Sequence, residues 1–252
     1  MNYPRRLLSN TQNFERLRRD GDLYVDKTQY IEKLFSLGRI FFLSRPHRFG
    51  KSLFLSTLKA YFEGQKELFE GLYIAEREEE IARWERRAPW EASPVLYLEL
   101  NAEDFSSSDA LANCLETHLA AWEAQYGSTG VAKTLAGRFR AVVQRACEKM
   151  GKQVVILIDE YDKPLLHTMW KDAALNETYK TILKGFFGVI KTADQAIRFA
   201  FLTGVTKFSK VSIFSDLNNL NDISLTPQFS SICGITEEEL RGNFFPEIEA
   251  LS

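Results

Sequence analysis

Gly50-Lys51-Ser52 stands between a short apolar run, Arg39 to Ser44, and a stretch with apolar Leu53, Leu55, Leu58 and Tyr61. The first reads as a buried strand, the second as a helix from Lys51 to about Phe62. A helix start leaves backbone N–H groups without partners and carries partial positive charge, so it attracts phosphate. Gly50 would let the backbone approach an anion without a Cβ. Lys51 would reach terminal phosphates as a point charge, and Ser52 would hold Mg²⁺ through its hydroxyl. The amides of Phe49, Gly50, Lys51, Ser52 and Leu53 would form the cradle. The usual phosphate-loop pattern, G-x-x-x-x-G-K-[ST], departs here in one place, because Arg45 occupies the first glycine position. The alternative is a loop that simply ends at Gly50 with a solvated lysine.

A second group lies at Val154-Val155-Ile156-Leu157-Ile158-Asp159-Glu160. An unbroken apolar run places two acids at the C-terminal end of a buried strand, the end that faces ligands in open α/β sheets. Asp159 would hold the Mg²⁺ shell and Glu160 would polarise an attacking water. Metal positioning and water activation are separate tasks, hence two carboxylates. The alternative is a strand followed by an acidic loop. A further buried strand, Ile197 to Leu202, precedes Thr203-Gly204-Val205-Thr206-Lys207. Thr203 and Thr206 are candidates to contact the attacking water or the γ-phosphate; for each, the alternative is a solvated turn residue.

The rest of the chain must position these groups. It has 252 residues, 45% hydrophobic and 26% charged, with a formal charge of -2. That composition excludes a disordered tail, a collagen-like fibre and a coiled-coil rod, and the balanced charge gives no argument for wholesale nucleic-acid binding. Short apolar runs alternate with longer amphipathic stretches, which predicts α/β layering. Helices are expected from about Asp26 or Thr28 to Gly38, from the Ser106–Asp109 cluster to about Tyr126, over about Thr134–Met150, and over about Ala173–Thr192. Val95 to Leu100 is a second strand, apolar but for Glu99. Thr236 and Glu239 fit a capping box. Glu76 to Trp90 reads as a charged helix or loop, its acidic run Glu76–Glu80 as a solvated face with i,i+4 pairs. Trp84, Trp90, Trp122 and Trp170 read as core or domain-edge aromatics, and Phe208, Phe214 and Asn218-Asn219 as a structural corner. The arginine-bearing N-terminus (Arg5, Arg6, Arg16, Arg18, Arg19) reads as a solvated arm packing on the domain.

Cys114, Cys147 and Cys233 form no CxxC pair, and His47, His118 and His167 complete no metal spacing, so reduced, mostly buried thiols in a cytoplasmic protein are expected. No segment reaches the ~20 apolar residues of a membrane span, and the N-terminus has no secretory apolar region.

Four blocks resemble the predicted AAA-ATPase-like family, a bacterial and archaeal phosphate-loop group. They are Tyr24-Val25-Asp26-Lys27-Thr28, Arg45 to Ser52 (RPHRFGKS), Leu157-Ile158-Asp159-Glu160-Tyr161-Asp162-Lys163-Pro164, and Phe201 to Ser224. The resemblance implies a three-layer α/β P-loop NTPase fold of the ASCE type. Its mostly parallel central sheet has an additional strand between the phosphate-loop and acid-bearing strands. It also accounts for the arginine-rich loop, with His47 where Arg is more usual. It implies ATP and Mg²⁺ as cofactors, with Arg45 and Arg48 either contacting phosphate or serving a neighbouring subunit of a homo-oligomer. Fuller members resemble a fusion to a helical lid and a PD-(D/E)xK nuclease-like domain. On that comparison residues 1–230 are the ATPase-like domain and 231–252 the beginning of a truncated lid. Nucleic acid would be reached only through a missing C-terminal domain. No lysine here has Asp or Glu two positions earlier, so nuclease chemistry of that type is not expected in the chain. The expected function is Mg-dependent ATP binding and hydrolysis. The alternatives are a nucleotide-binding switch or interaction module with negligible hydrolysis, and a structural adaptor, which the joint presence of Gly50, Lys51, Ser52, Asp159 and Glu160 opposes.

Overall fold

The computed structural model describes residues 12–101, 104–128, 130–206, 213–214 and 219–249. Arg5, Arg6, Lys207, Phe208 and Asn218 lie outside the described residues. The chain divides into two compact units. One comprises Met1–Leu37, His47–Ala92 and Ser224–Ser252, the other Gly38–Pro46 and Ser93–Ile223.

The second unit carries a five-stranded sheet: β1 (Ile40–Ser44), β2 (Val95–Glu99), β3 (Val154–Asp159), β4 (Ile197–Gly204) and β5 (Asn221–Asp222). The spatial order is β2-β3-β4-β1-β5, and every recorded pairing is parallel. β4 therefore separates β1 from β3, as the resemblance implied. Every residue of β3 is buried, which explains its continuous apolar run. Side chains alternate between the two faces of a strand. Ile40, Phe42, Leu96, Leu98, Ile156, Ile158, Ala200 and Leu202 face one large core. Their alternates, including Phe41, Leu157, Phe199 and Phe201, take the opposite face, where the Phe41 ring lies 5.6 Å from Phe199 and 6.4 Å from Phe201. Asp159 and Thr203 continue that second face at the strand ends.

Helices α5 (Ala110–Tyr126), α6 (Leu135–Met150), α7 (Lys163–Thr168) and α8 (Ala173–Thr192) complete this unit. Thr134 caps α6 by accepting from the Gly137 amide at 3.1 Å. Phe139 and Phe186 stack at 4.4 Å where α6 meets α8, an arrangement worth roughly 0.5–1.5 kcal/mol beyond area burial. The short α7 escapes the sequence reading; Pro164 in its first turn is compatible with helix, since that position needs no N–H partner.

The first unit holds α1 (Phe14–Arg19), α2 (Gln29–Leu37), α3 (Lys51–Phe62), α4 (Tyr73–Glu85) and α9 (Glu237–Glu249). Three expectations are corrected. Part of the arm is α1, which packs on α3 as expected but is not solvated throughout, since its Phe14 and Leu17 are buried. Phe14 makes a core contact at 5.0 Å with both Tyr24 and Phe69. Within the acidic run, Glu78 is fully buried, accepting from Tyr61 Oη at 2.6 Å, Arg87 Nη1 at 2.6 Å and the Trp90 amide at 2.7 Å. Trp84 and Trp170 are exposed, by 62% and 90%, whereas Trp122 is buried. Thr236 and Glu239 make the expected reciprocal cap, each accepting from the other's amide.

Among the described residues no helix is long and apolar enough to cross a membrane. None of the three cysteines is in a disulfide.

Candidate functional site

The segment expected from the sequence to form a phosphate loop is divided between the two units, with Pro46 in one and His47 in the other. In the sheet unit, β1 runs into Ser44 and Arg45. The Ser44 hydroxyl donates to the Val205 carbonyl at 3.0 Å, and the Arg45 amide donates to the Gly204 carbonyl at 3.1 Å. The Arg45 guanidinium turns back to the Ser44 carbonyl at 3.0 Å. The segment carrying the absent first glycine is thus anchored by its backbone to the end of β4.

In the other unit, residues 47–50 are exposed and turn sharply. Arg48 (φ 61°) and Gly50 (φ 89°) both adopt left-handed backbone. Gly50 does so at no steric cost, while Arg48 stores strain. Gly50 is the N-cap of α3 and supplies no side-chain acceptor to the first-turn amides. This is the form of helix start that suits an incoming anion better than a serine or aspartate cap would. Lys51 is buried at 4% exposure, and Ser52 and Leu53 are half-buried. The half-exposed Phe49 ring lies against Gly234, where a Cβ would come 2.9 Å from Cε1.

The acids end β3. Asp159 is buried, and its Oδ1 accepts from the Thr203 hydroxyl at 2.6 Å. The same hydroxyl oxygen accepts from the Glu160 amide at 3.2 Å. Glu160 is 7% exposed and sits at φ 51°, a conformation that costs a non-glycine residue about 1–3 kcal/mol. The chain turns abruptly there, with the Lys163 amide donating to the Glu160 carbonyl at 3.0 Å.

The structure therefore joins Asp159, Glu160 and Thr203 as one hydrogen-bonded group and brings Arg45 to the neighbouring strand end. Thr206 is placed differently from Thr203: its amide and hydroxyl both donate to Asp162, at 2.7 and 3.0 Å. Gly50, Lys51, Ser52 and Leu53 belong to the α3 unit.

Sequence reasoning passed over two neighbours. Glu99 ends β2 in register with Asp159. Although the residue is exposed, its carboxyl is pushed above the usual range, first by partial desolvation, then by the charges of Asp159 and Glu160. The Tyr97 phenol on the same face is pushed up by burial, then by Asp159 and Glu99. A lone acid at the end of an otherwise apolar strand was the available signal for Glu99. The second is Asp162, whose carboxylate is fully buried.

A curated relative, "Uncharacterized protein in vnfD 5'region" of Azotobacter chroococcum mcd 1, is 39% identical over 241 residues, covering 95% of this chain and 45% of the relative. The chain thus spans less than half the length of that protein. No solved structure matches it. Residues 9–214 match the family model described as Predicted AAA-ATPase, and with most of the chain covered, the protein belongs to that family.

Proposed function

We propose that this protein binds Mg-ATP and hydrolyses it to ADP and phosphate. The observation that carries the reading is the strand order. β4 lies between the strand that feeds the phosphate loop and the strand that ends in Asp159 and Glu160, and it contributes Thr203 to the acids. In this reading the amides of Phe49 to Leu53 hold the β-phosphate and Lys51 offsets charge on the terminal phosphates. Mg²⁺ would be held by Ser52 and Asp159, whose hard oxygens suit it, and would supply charge neutralisation on the phosphate oxygens. Among the described residues no three His, Cys, Asp or Glu side chains form a metal cage, so phosphate oxygens and water would complete the shell. Glu160 takes the proton of the attacking water as its oxygen bonds to the γ-phosphorus and the bond to the leaving ADP oxygen breaks. Residues 231–252 are the first part of a helical lid, Arg45 and Arg48 serve phosphate or a neighbouring subunit, and the protein works in the cytoplasm.

The test is phosphate release and calorimetric binding with Mg-ATP. Lys51→Ala should lose both. Glu160→Gln should keep binding and lose turnover by about 10²–10⁴-fold, the range for a general base. Normal turnover in Glu160→Gln removes that residue from its role. A second reading is a nucleotide-operated switch with negligible hydrolysis, favoured by the burial of Glu160, which a water must still reach. Tight Mg-ATP binding without phosphate release selects it.

A further inference from the structure

Asp162 breaks a local rule. It is the N-cap of α7, a position where an aspartate ordinarily accepts from the amides of its own helix. Here it makes no such bond. Its fully buried carboxylate crosses instead to the turn after β4. Oδ1 and Oδ2 accept from the Val205 amide at 3.2 and 3.0 Å, and Oδ2 accepts from the Thr206 amide at 2.7 Å and the Thr206 hydroxyl at 3.0 Å.

Three other features act in the same direction. The Tyr161 hydroxyl donates to the Thr206 carbonyl at 3.1 Å, and the Tyr161 amide donates to the Thr203 carbonyl at 3.0 Å. Gly204 gives them room: a Cβ there would lie 2.7 Å from Tyr161 Cδ1 and 3.0 Å from Asp162 Oδ1. From the other side, Ser44 and Arg45 donate to the carbonyls of Val205 and Gly204. The short turn 203–206 is therefore fastened on one edge to the acids and on the other to the first residues of the phosphate loop. Charge-assisted bonds to a buried carboxylate are the stronger class of such fastenings.

We propose that Asp162 is a positioning residue for nucleotide turnover: by clamping the amides of Val205 and Thr206 it holds Thr203, and through Thr203 the strained Glu160, in the geometry that activates water. The proposal rests on the hydrolysis reading and deepens it. Asp162 touches no substrate; it acts through Glu160. The left-handed backbone at Glu160 supports this division of labour, since strain of that kind persists only where surrounding bonds over-determine it.

The test uses the full chain and Mg-ATP. Asp162→Asn should lower kcat about tenfold or more, with KM and the Mg-ATP affinity within about threefold of the parent. On a Glu160→Gln background the same change should add less than about a twofold loss, because residues acting as one unit are not additive. A kcat within about twofold of the parent, or a full tenfold loss repeated on the Glu160→Gln background, overturns the proposal. Should Asp162→Asn fail to fold, Thr206→Val removes one bond and leaves both amide bonds. It should lower kcat about threefold at unchanged KM, and an unchanged kcat overturns the proposal. Hydrogen exchange separates this failure from failure of the hydrolysis reading. Faster exchange of the Glu160 amide in Asp162→Asn supports the clamp even where the parent releases no phosphate; unchanged exchange overturns it even where the parent turns over.

Discussion

The Thr203 hydroxyl donates to Asp159 Oδ1 at 2.6 Å and accepts from the Glu160 amide at 3.2 Å, so one buried oxygen orders both acids at the end of β3. Thr203→Val keeps the shape and deletes the hydroxyl. It leaves a carboxylate oxygen and an amide short of a partner, which should cost about 1.5–3 kcal/mol in urea unfolding. Thr203→Ser restores the oxygen and should recover most of that loss. In phosphate-release assays the valine variant should be the slower of the two at equal folded fraction.

Gly204 is required by proximity rather than by backbone conformation. Its neighbours are the Tyr161 ring and the Asp162 carboxylate. Gly204→Ala should therefore destabilise by about 1–3 kcal/mol, the usual cost of overpacking. Trimming the ring in a Gly204→Ala/Tyr161→Leu pair should cost less than the sum of the single changes. A thermal-melt double-mutant cycle reads this directly, and strict additivity would refute the steric account.

The helix Lys51–Phe62, the long helix Ala173–Thr192 and the strand Val154–Asp159 were legible because the helices bury one face at helical spacing, the strand is buried throughout, and each has a clear start or stop. Asp159, Glu160 and the Gly50-Lys51-Ser52 run could be singled out as candidates because each group is local in sequence. The coupling of the acids to Thr203 was not legible. That Thr203 rather than Thr206 meets Asp159 follows from strand register and from the alternation of faces, which no single segment carries. Glu78 was illegible for a related reason. It sits among Glu76, Glu79 and Glu80 in one charged run, and only the fold brings Tyr61, Arg87 and Trp90 around it.

That buried site yields a stability prediction of its own. Glu78 and Arg87 have side chains 0% and 7% exposed, and the Arg87 guanidinium also lies over the Tyr61 ring at 5.9 Å. Removing one partner strands the other, so Glu78→Gln should cost about 3–5 kcal/mol. Replacing both, as Glu78→Met/Arg87→Met, should recover part of that loss, since a buried pair repays little more than its own desolvation. The recovery is incomplete, because the Trp90 amide and Tyr61 hydroxyl still lose an acceptor. Chemical denaturation of the parent and the two variants decides it.

Glu239 is one of the carboxyls, with Glu32 and Glu123, whose basic partners should make stability acid-sensitive. Lys27 Nζ contacts both its oxygens, at 2.5 and 2.7 Å. Burial alone would raise its pKa, but the Lys27 hydrogen bond, the Thr236 amide and the Lys27 charge outweigh burial and hold the carboxyl below the usual range. A carboxyl with a depressed folded pKa binds fewer protons folded than unfolded, so stability rises with pH across its titration. The contribution is complete above the ordinary unfolded value of about 4.3 and is lost as pH falls through the folded one. Glutamine can replace glutamate in the capping box but cannot pair with an ammonium. Glu239→Gln should therefore cost about 1–2 kcal/mol at neutral pH and nothing once the parent carboxyl is protonated. Urea midpoints of parent and variant measured from pH 7 down to about pH 3 should converge at the acid end. A gap that stays constant over that range would assign the loss to packing instead of charge.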